Sequence, residues 1–224
     1  MVGGVWTLYQ KQIGGLIIFF IMSEGRIIAV VGGPRSGKSF LTKKLAEYYG
    51  GTPFIEEELP IRIQENLKKG MRDIERHLWF RNQQVKIYLE AEELKRQGRI
   101  VILDNFWISY QLYLESTTGF EREVVDELAE IDRQMFGWPD LVILLHNSEE
   151  GIREFVKKGK REFDNSEEYI QRTILPINAI QEKFFKGQQS KRNVVVIDRD
   201  GLDFKESNHF EELLERIKSD KVLV

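Results

Sequence analysis

Gly32 to Ser39 reads Gly-Gly-Pro-Arg-Ser-Gly-Lys-Ser, and Gly32, Gly37, Lys38 and Ser39 fit the spacing G-x-x-x-x-G-K-[ST]. These residue types at this spacing bind phosphate. Glycines let the backbone curl so that loop N–H groups surround phosphate oxygens. The lysine reaches the β- and γ-phosphates, and the hydroxyl that follows ligates Mg²⁺. The pattern follows the apolar run Ile27-Ile28-Ala29-Val30-Val31 and precedes the amphipathic stretch Phe40 to Glu47. Strand, loop and helix in that order are the context the motif requires, and the helix N-terminus adds the positive end of its dipole. Gly32, Gly33, Pro34, Arg35, Ser36, Gly37, Lys38, Ser39 and Phe40 are therefore expected to hold a nucleoside triphosphate.

Acidic residues placed just after strands come next. Asp104 follows the apolar run Ile100-Val101-Ile102-Leu103, where a carboxylate can organise Mg²⁺ together with Ser39. It could instead cap a helix beginning near Phe106. Glu56, Glu57 and Glu58 follow the short run Thr52 to Ile55. A carboxylate there can accept the proton of an attacking hydroxyl, although a solvated acidic turn would look the same. Lys157-Lys158-Gly159-Lys160-Arg161 is a basic cluster with a glycine hinge. It suits a lid closing over transferring phosphates, or simply a cationic helix end.

The elements that must position these groups alternate. Besides Ile27 to Val31, β-type segments are expected at Thr52–Ile55, Arg99–Leu103, Leu141–Leu145 and Asn193–Ile197. Their apolarity is mostly continuous, as in strands buried on both faces of a parallel sheet. Helical spacing runs over 61–97, interrupted at Gly70 and closed by Gly98. Further helices are expected from Val124 to Met135, from Glu167 to Phe185 with a break at Pro176, and from Phe210 to Ile217. The order is that of a single doubly wound α/β domain.

Composition narrows the chemistry. The 224 residues suffice for one α/β core with a small lid. No cysteine is present, which excludes disulfides, thiolate catalysis and cysteine metal sites. His77, His146 and His209 lack ligand spacing. A net charge of −3 gives no field that would draw the chain to a nucleic-acid polymer or a membrane surface. Leu16 to Met22 is apolar but about half the length a membrane-spanning helix needs. We therefore read 1–21 as an N-terminal extension, upstream of a natural start at Met22, and 22–224 as the domain, with no stable membrane insertion and a cytoplasmic location.

With these residues in view, the chain resembles the deoxynucleoside kinases, the bacterial deoxyadenosine/deoxyguanosine kinase branch most of all, within the wider group that includes thymidylate kinase. The resemblance runs from about Arg26 to the C-terminus. It implies a three-layer α/β/α phosphate-loop kinase fold with a five-stranded parallel sheet and a short lid near 157–165. Phe54-Ile55-Glu56-Glu57-Glu58-Leu59-Pro60 is similar to the acidic segment whose glutamate meets the nucleoside 5′-hydroxyl. Position relative to the strand favours Glu57, and proximity to proline favours Glu58. Trp79 to Gln84 resembles the helix that supplies an aromatic wall, Trp79, and a base-reading glutamine, Gln83 or Gln84. Residues 157–164 resemble the lid, and Asp198-Arg199-Asp200 begins the final loop lying against the ATP adenine. The chain departs from the pattern in three places. Asp104-Asn105-Phe106 replaces Asp/Glu-Arg-Ser, Lys158 and Lys160 stand beside Arg161 where arginines are expected, and Glu57-Glu58 before Leu59 breaks the usual Glu-Pro adjacency.

The resulting expectation is an ATP- and Mg²⁺-dependent kinase acting on the 5′-hydroxyl of a small nucleoside. Lys38, Asp104, Glu57 or Glu58, and Arg161 would be the catalytic groups. ATP would lie on the loop with Lys158, Lys160 and Asp200. A nucleoside monophosphate acceptor, served by Arg72, Arg76 or Arg81, is one alternative, and a nucleotide-binding NTPase without kinase activity is another. A homodimer could form through the long 61–97 segment.

Overall fold

The computed structural model describes residues 6–13, 16–69, 74–112, 120–158 and 166–219. Five strands form one parallel sheet: β3 (Arg26–Val31), β4 (Thr52–Phe54), β5 (Ile100–Asp104), β6 (Leu141–His146) and β7 (Val194–Asp198). Their order is β4-β5-β3-β6-β7. The continuous apolar runs have a direct cause in this arrangement. Ile28 and Val30 of β3 pack on one face against Leu41 and Leu45 of α1 (Lys38–Tyr49) and Leu213 of α9 (Ser207–Ser219). Ile27, Ala29 and Val31 pack on the other against Tyr88 of α3 (Ile74–Arg96) and Phe185 of α8 (Leu175–Gln188). A strand covered on both faces gains burial from every side chain, so alternation disappears.

The chain leaves central β3 for edge strand β4, returns to β5, and then crosses to β6 on the far side of β3. That reversal opens a crevice beyond the carboxyl ends of the strands, where the phosphate loop and Asp104 both stand. The sheet and its flanking helices have the three-layer phosphate-loop kinase fold the sequence implied.

Several boundaries differ from expectation. The helical segment over 61–97 is two helices, α2 (Ile61–Lys68) and α3; the expected break at Gly70 lies outside the described residues. A short α4 (Ser109–Leu112) follows β5, and α5 (Phe120–Met135) and α6 (Glu149–Lys158) come before and after β6. The stretch with Pro176 is α7 (Glu167–Tyr169), a π-helical turn at Ile170–Ile174 and then α8. Pro176 stands at the start of α8, directly after the π-helical turn, in a run that stays helical from Glu167 to Gln188. Residues 6–23 hold a separate antiparallel pair, β1 (Trp6–Ile13) with β2 (Leu16–Ser23). The sequence signal for it is Gly14-Gly15 between two β-type runs. Among the described residues no helix is long and apolar enough to cross a membrane.

One buried ion pair fixes the walls of the crevice. Asp132 of α5 has a fully buried carboxylate that accepts from Arg81 Nε of α3 at 2.8 Å and from the Tyr110 hydroxyl of α4. Burial and the adjacent carboxylate both raise the Tyr110 hydroxyl well above its ordinary range. Replacing Asp132 with alanine strands Arg81, whose side chain is only 19% exposed. The expected cost is about 3 kcal/mol of unfolding free energy, read from urea denaturation; a loss under about 0.5 kcal/mol would contradict the pinning role.

Candidate active site

The phosphate loop is shaped by residues without side chains where side chains cannot fit. Gly32 has φ of 146°, and a Cβ there would lie 2.7 Å from the Leu145 carbonyl oxygen of β6. Gly37 has φ of 90° and begins α1 with no side chain capping its first N–H groups. Those donors are left for an anion. Arg35 between them is also left-handed, with φ of 68°. Lys38 Nζ donates to the Gly33 carbonyl at 2.9 Å, bridging the loop from inside. Ser36 is buried with its Oγ unpartnered, Pro34 is half-buried, and Phe40 is 42% exposed at the start of α1. Asn178 of α8 packs against Gly33.

Asp104 ends β5 in register with Val30, which places it beside the loop. It is buried; one carboxylate oxygen accepts from the Ser39 hydroxyl and the other, Oδ1, has no partner. A buried, unsatisfied carboxylate oxygen next to a hydroxyl is a fitting donor set for a hard cation. No group of three or more His, Cys, Asp or Glu converges among the described residues.

Across the crevice stands a carboxylate that sequence reasoning ranked below its neighbours. Of the three glutamates after β4, Glu56 is the one packed into the site. Part of the residue keeps accessible surface, but its carboxyl group is enclosed. Gln84 Nε2 of α3 donates to Glu56 Oε1 at 2.7 Å, and Gln84 Oε1 accepts from the Tyr110 N–H at 3.1 Å. Burial raises the Glu56 carboxyl to about 7; nearby Asp104 adds to the rise, while Gln84, Lys38 and Asn105 oppose it. Asn105 is itself buried in a left-handed conformation, φ 67°, which asparagine tolerates better than most residues. Its N–H donates to the Val30 carbonyl at 3.2 Å, and its side-chain oxygen accepts from Ser109 at 3.0 Å. Where the resembling family has arginine, this chain thus has a short residue anchoring the turn after β5.

The other expected residues divide. Glu57 and Glu58 are exposed. Glu57 exchanges two hydrogen bonds with Gln83, at 3.0 and 3.1 Å. Gln83 is therefore at the surface, whereas Gln84 is 2% exposed with both ends of its amide engaged. Trp79 is half-buried against Phe80, their rings edge to face at 4.9 Å. Lys158 is exposed at the end of α6, 3.6 Å from Glu154. Lys160 and Arg161 lie outside the described residues, as does Arg72. Asp200 accepts from the Ser148 N–H at 3.1 Å, just before α6.

Arg199, expected only as part of the final loop, is buried between the rings of Phe155 and Phe204, 4.7 and 4.2 Å from their centroids. Its Nε and Nη1 have no hydrogen-bond partner, and the guanidinium lies next to Gly37. Its burial follows from packing between α6 and the segment after β7, which no local pattern reveals.

Residues 27–175 match the family described as an AAA domain, more than half of the chain. The chain belongs to that family. No curated protein sequence matches this AAA domain. Among solved structures it is similar to deoxyadenosine kinase from M. mycoides with bound dCTP, at 18% identity and a TM-score of 0.63, over 86% of this chain and 99% of that one. Thymidylate kinase from Candida albicans is similar at 19% identity and a TM-score of 0.63, over 90% and 94% of the two chains. NadR in complex with NR follows at 16% identity and 0.55, over 88% of this chain and 52% of that one. At such identities the likeness establishes the fold.

Proposed function

We propose that this AAA domain is an ATP-dependent kinase that transfers a phosphoryl group to the 5′-hydroxyl of a nucleoside or deoxynucleoside. The observation that carries the reading is the Glu56 carboxyl, enclosed across from the phosphate loop and pushed up to about 7. A carboxylate poised near neutrality can take a hydroxyl proton while the hydroxyl is held in line with phosphorus. An NTPase lacking an acceptor gives no reason for this costly burial. Glu56 is thus our choice for the base, in place of Glu57 or Glu58. Gln84 holds it in place, and Gln83 and Trp79 line the acceptor side.

The phosphate loop, Lys38 and the first N–H groups of α1 bind the triphosphate. Ser39 and Asp104 would hold Mg²⁺, which would supply positive charge to offset that of the phosphates. Lys158, Lys160 and Arg161 neutralise charge on the phosphoryl group in transit, and Asp200 borders the nucleotide. The solved kinases with this fold are named for deoxyadenosine and thymidylate, which supports a small nucleoside or nucleotide acceptor and no polymer. We place the reaction in the cytoplasm.

The monophosphate alternative needs a fixed cation at the acceptor, and Arg81 is committed to Asp132. The test is a panel of deoxyadenosine, deoxyguanosine, thymidine and dTMP, each with ATP and Mg²⁺. Turnover with at least one nucleoside is expected. Turnover with dTMP alone would overturn the nucleoside reading, and ATP binding without transfer to any acceptor would favour the NTPase.

A further inference from the structure

Away from the phosphate loop, α4, α5 and the end of α8 line an open-mouthed cavity of about 530 Å³, within the range of small-molecule sites. Its wall is aromatic. Trp138 and Phe184 are stacked with centroids 6.3 Å apart and planes 20° from parallel, and Trp107 lies 6.1 Å from Phe136 behind them. Its lining is cationic, with three arginines against one carboxylate. Arg122 pairs with that carboxylate, Asp126, at 2.7 Å, and Arg133 reaches Glu130 and Gln111 at 2.9 and 2.8 Å. Arg192 differs from both. It is exposed, pairs with no carboxylate among the described residues, and holds its guanidinium 5.4 Å from the Trp138 centroid.

We propose that this cavity is a second nucleotide site, separate from the phosphate loop. The two features a ligand must answer are ring faces and the guanidinium of Arg192, which no carboxylate among the described residues pairs, and a nucleotide carries both complements. Its base would lie against Trp138 and Phe184, and its phosphate would meet Arg192 and Arg133. A neutral apolar ligand would leave the charge unanswered, and inorganic phosphate would leave the rings bare. The site has a physical route to the active site. Trp107 and Ile108 line the cavity and directly continue the Asn105 turn, whose side chain reaches Glu56. A ligand that shifts this wall therefore biases the position of Glu56, and bound nucleotide in turn is felt by the active site. This regulatory consequence rests on the phosphoryl-transfer reading; occupancy of the cavity does not.

Equilibrium dialysis with radiolabelled dATP and, separately, dTTP tests the proposal. At least one of the two should bind at two per chain in the unmodified protein and at one per chain in Lys38→Ala. Adding Arg192→Glu to Lys38→Ala should remove the remaining site, and Arg133→Gln should weaken it at least tenfold. Both positions are exposed, so the fold should survive, as circular dichroism would check. The proposal is overturned if Lys38→Ala binds neither nucleotide, or if Arg192→Glu and Arg133→Gln both leave its binding unchanged. It is also overturned if Trp138→Asp turns a dimer into a monomer in sedimentation while nucleotide stoichiometry stays the same, because the cavity is then a contact between copies. Two nucleotides bound without transfer to any acceptor would support the second site and defeat the kinase reading alone.

Discussion

Glu56→Gln is expected to lower kcat about a thousandfold with a small change in the KM for ATP, and at the same time to make the protein more stable. Both effects follow from one carboxyl. As the base, Glu56 must be ionised to accept the hydroxyl proton, and glutamine cannot accept it. As a folded-state group, its ionisation is disfavoured by burial, raising it from 4.5 to about 7. Between those two values the native protein keeps a proton that the unfolded chain releases, so stability falls as pH rises through that window and levels off above about 7. The full effect is roughly 3 kcal/mol. Glutamine keeps an oxygen for Gln84 Nε2 and carries no charge to bury. The melting temperature of the variant should therefore exceed that of the unmodified protein by several degrees at pH 8, with the gap closing towards pH 4.5. In the unmodified protein, kcat/KM should climb with pH through about 7 as Glu56 ionises. Glu57→Gln, which changes an exposed partner of Gln83, should stay within about threefold on every readout. A thousandfold loss in Glu57→Gln with Glu56→Gln unaffected would reverse the assignment.

Lys38→Ala should lower kcat/KM about a thousandfold and weaken binding of a fluorescent ATP analogue to the phosphate loop by at least tenfold. Lys38 bridges the loop to the Gly33 carbonyl and is half-buried, so the change removes both a phosphate contact and a brace. Helix α1 remains anchored through Leu41, Leu45 and Ala46, which keeps the fold out of the comparison. Lys38→Arg should recover little, because a planar fork does not occupy the place of a compact ammonium inside a tight loop. Retained affinity at the loop in Lys38→Ala would contradict a triphosphate role for it.

The difference between these two predictions reflects what each part of the chain discloses. The phosphate loop is written in eight consecutive residues, and its geometry is local: left-handed turns at Gly32 and Gly37, then a helix. The parallel sheet was equally legible, because burial on both faces removes polar residues from runs such as Leu141 to Leu145. The residues around Pro176 foretold a break, though not the π-helical turn before it. Within the segment read as an N-terminal extension, β1 pairs with β2, a feature for which the two β-type runs flanking Gly14-Gly15 were the sequence signal.

The carboxylate was a different matter. Glu56, Glu57 and Glu58 are the same residue type on adjacent positions, as are Gln83 and Gln84. Their separate fates are set by how α3 docks on the segment after β4, where Gln84 meets Glu56 inside and Gln83 meets Glu57 outside. Successive residues of a helix point about 100° apart, so one of two neighbours can be buried while the other is solvated. Asn105 stands where the resembling family has arginine, and the folded chain gives it a left-handed turn and an anchored side chain beside Glu56. Sequence alone thus determined the glycine loop's geometry and the sheet that carries it, because both are encoded by contiguous residues. Only tertiary structure decided which carboxyl is buried across from that loop, because its protonation depends on partners 28 and 49 residues away, Gln84 and Asn105, and on the desolvation that their packing imposes.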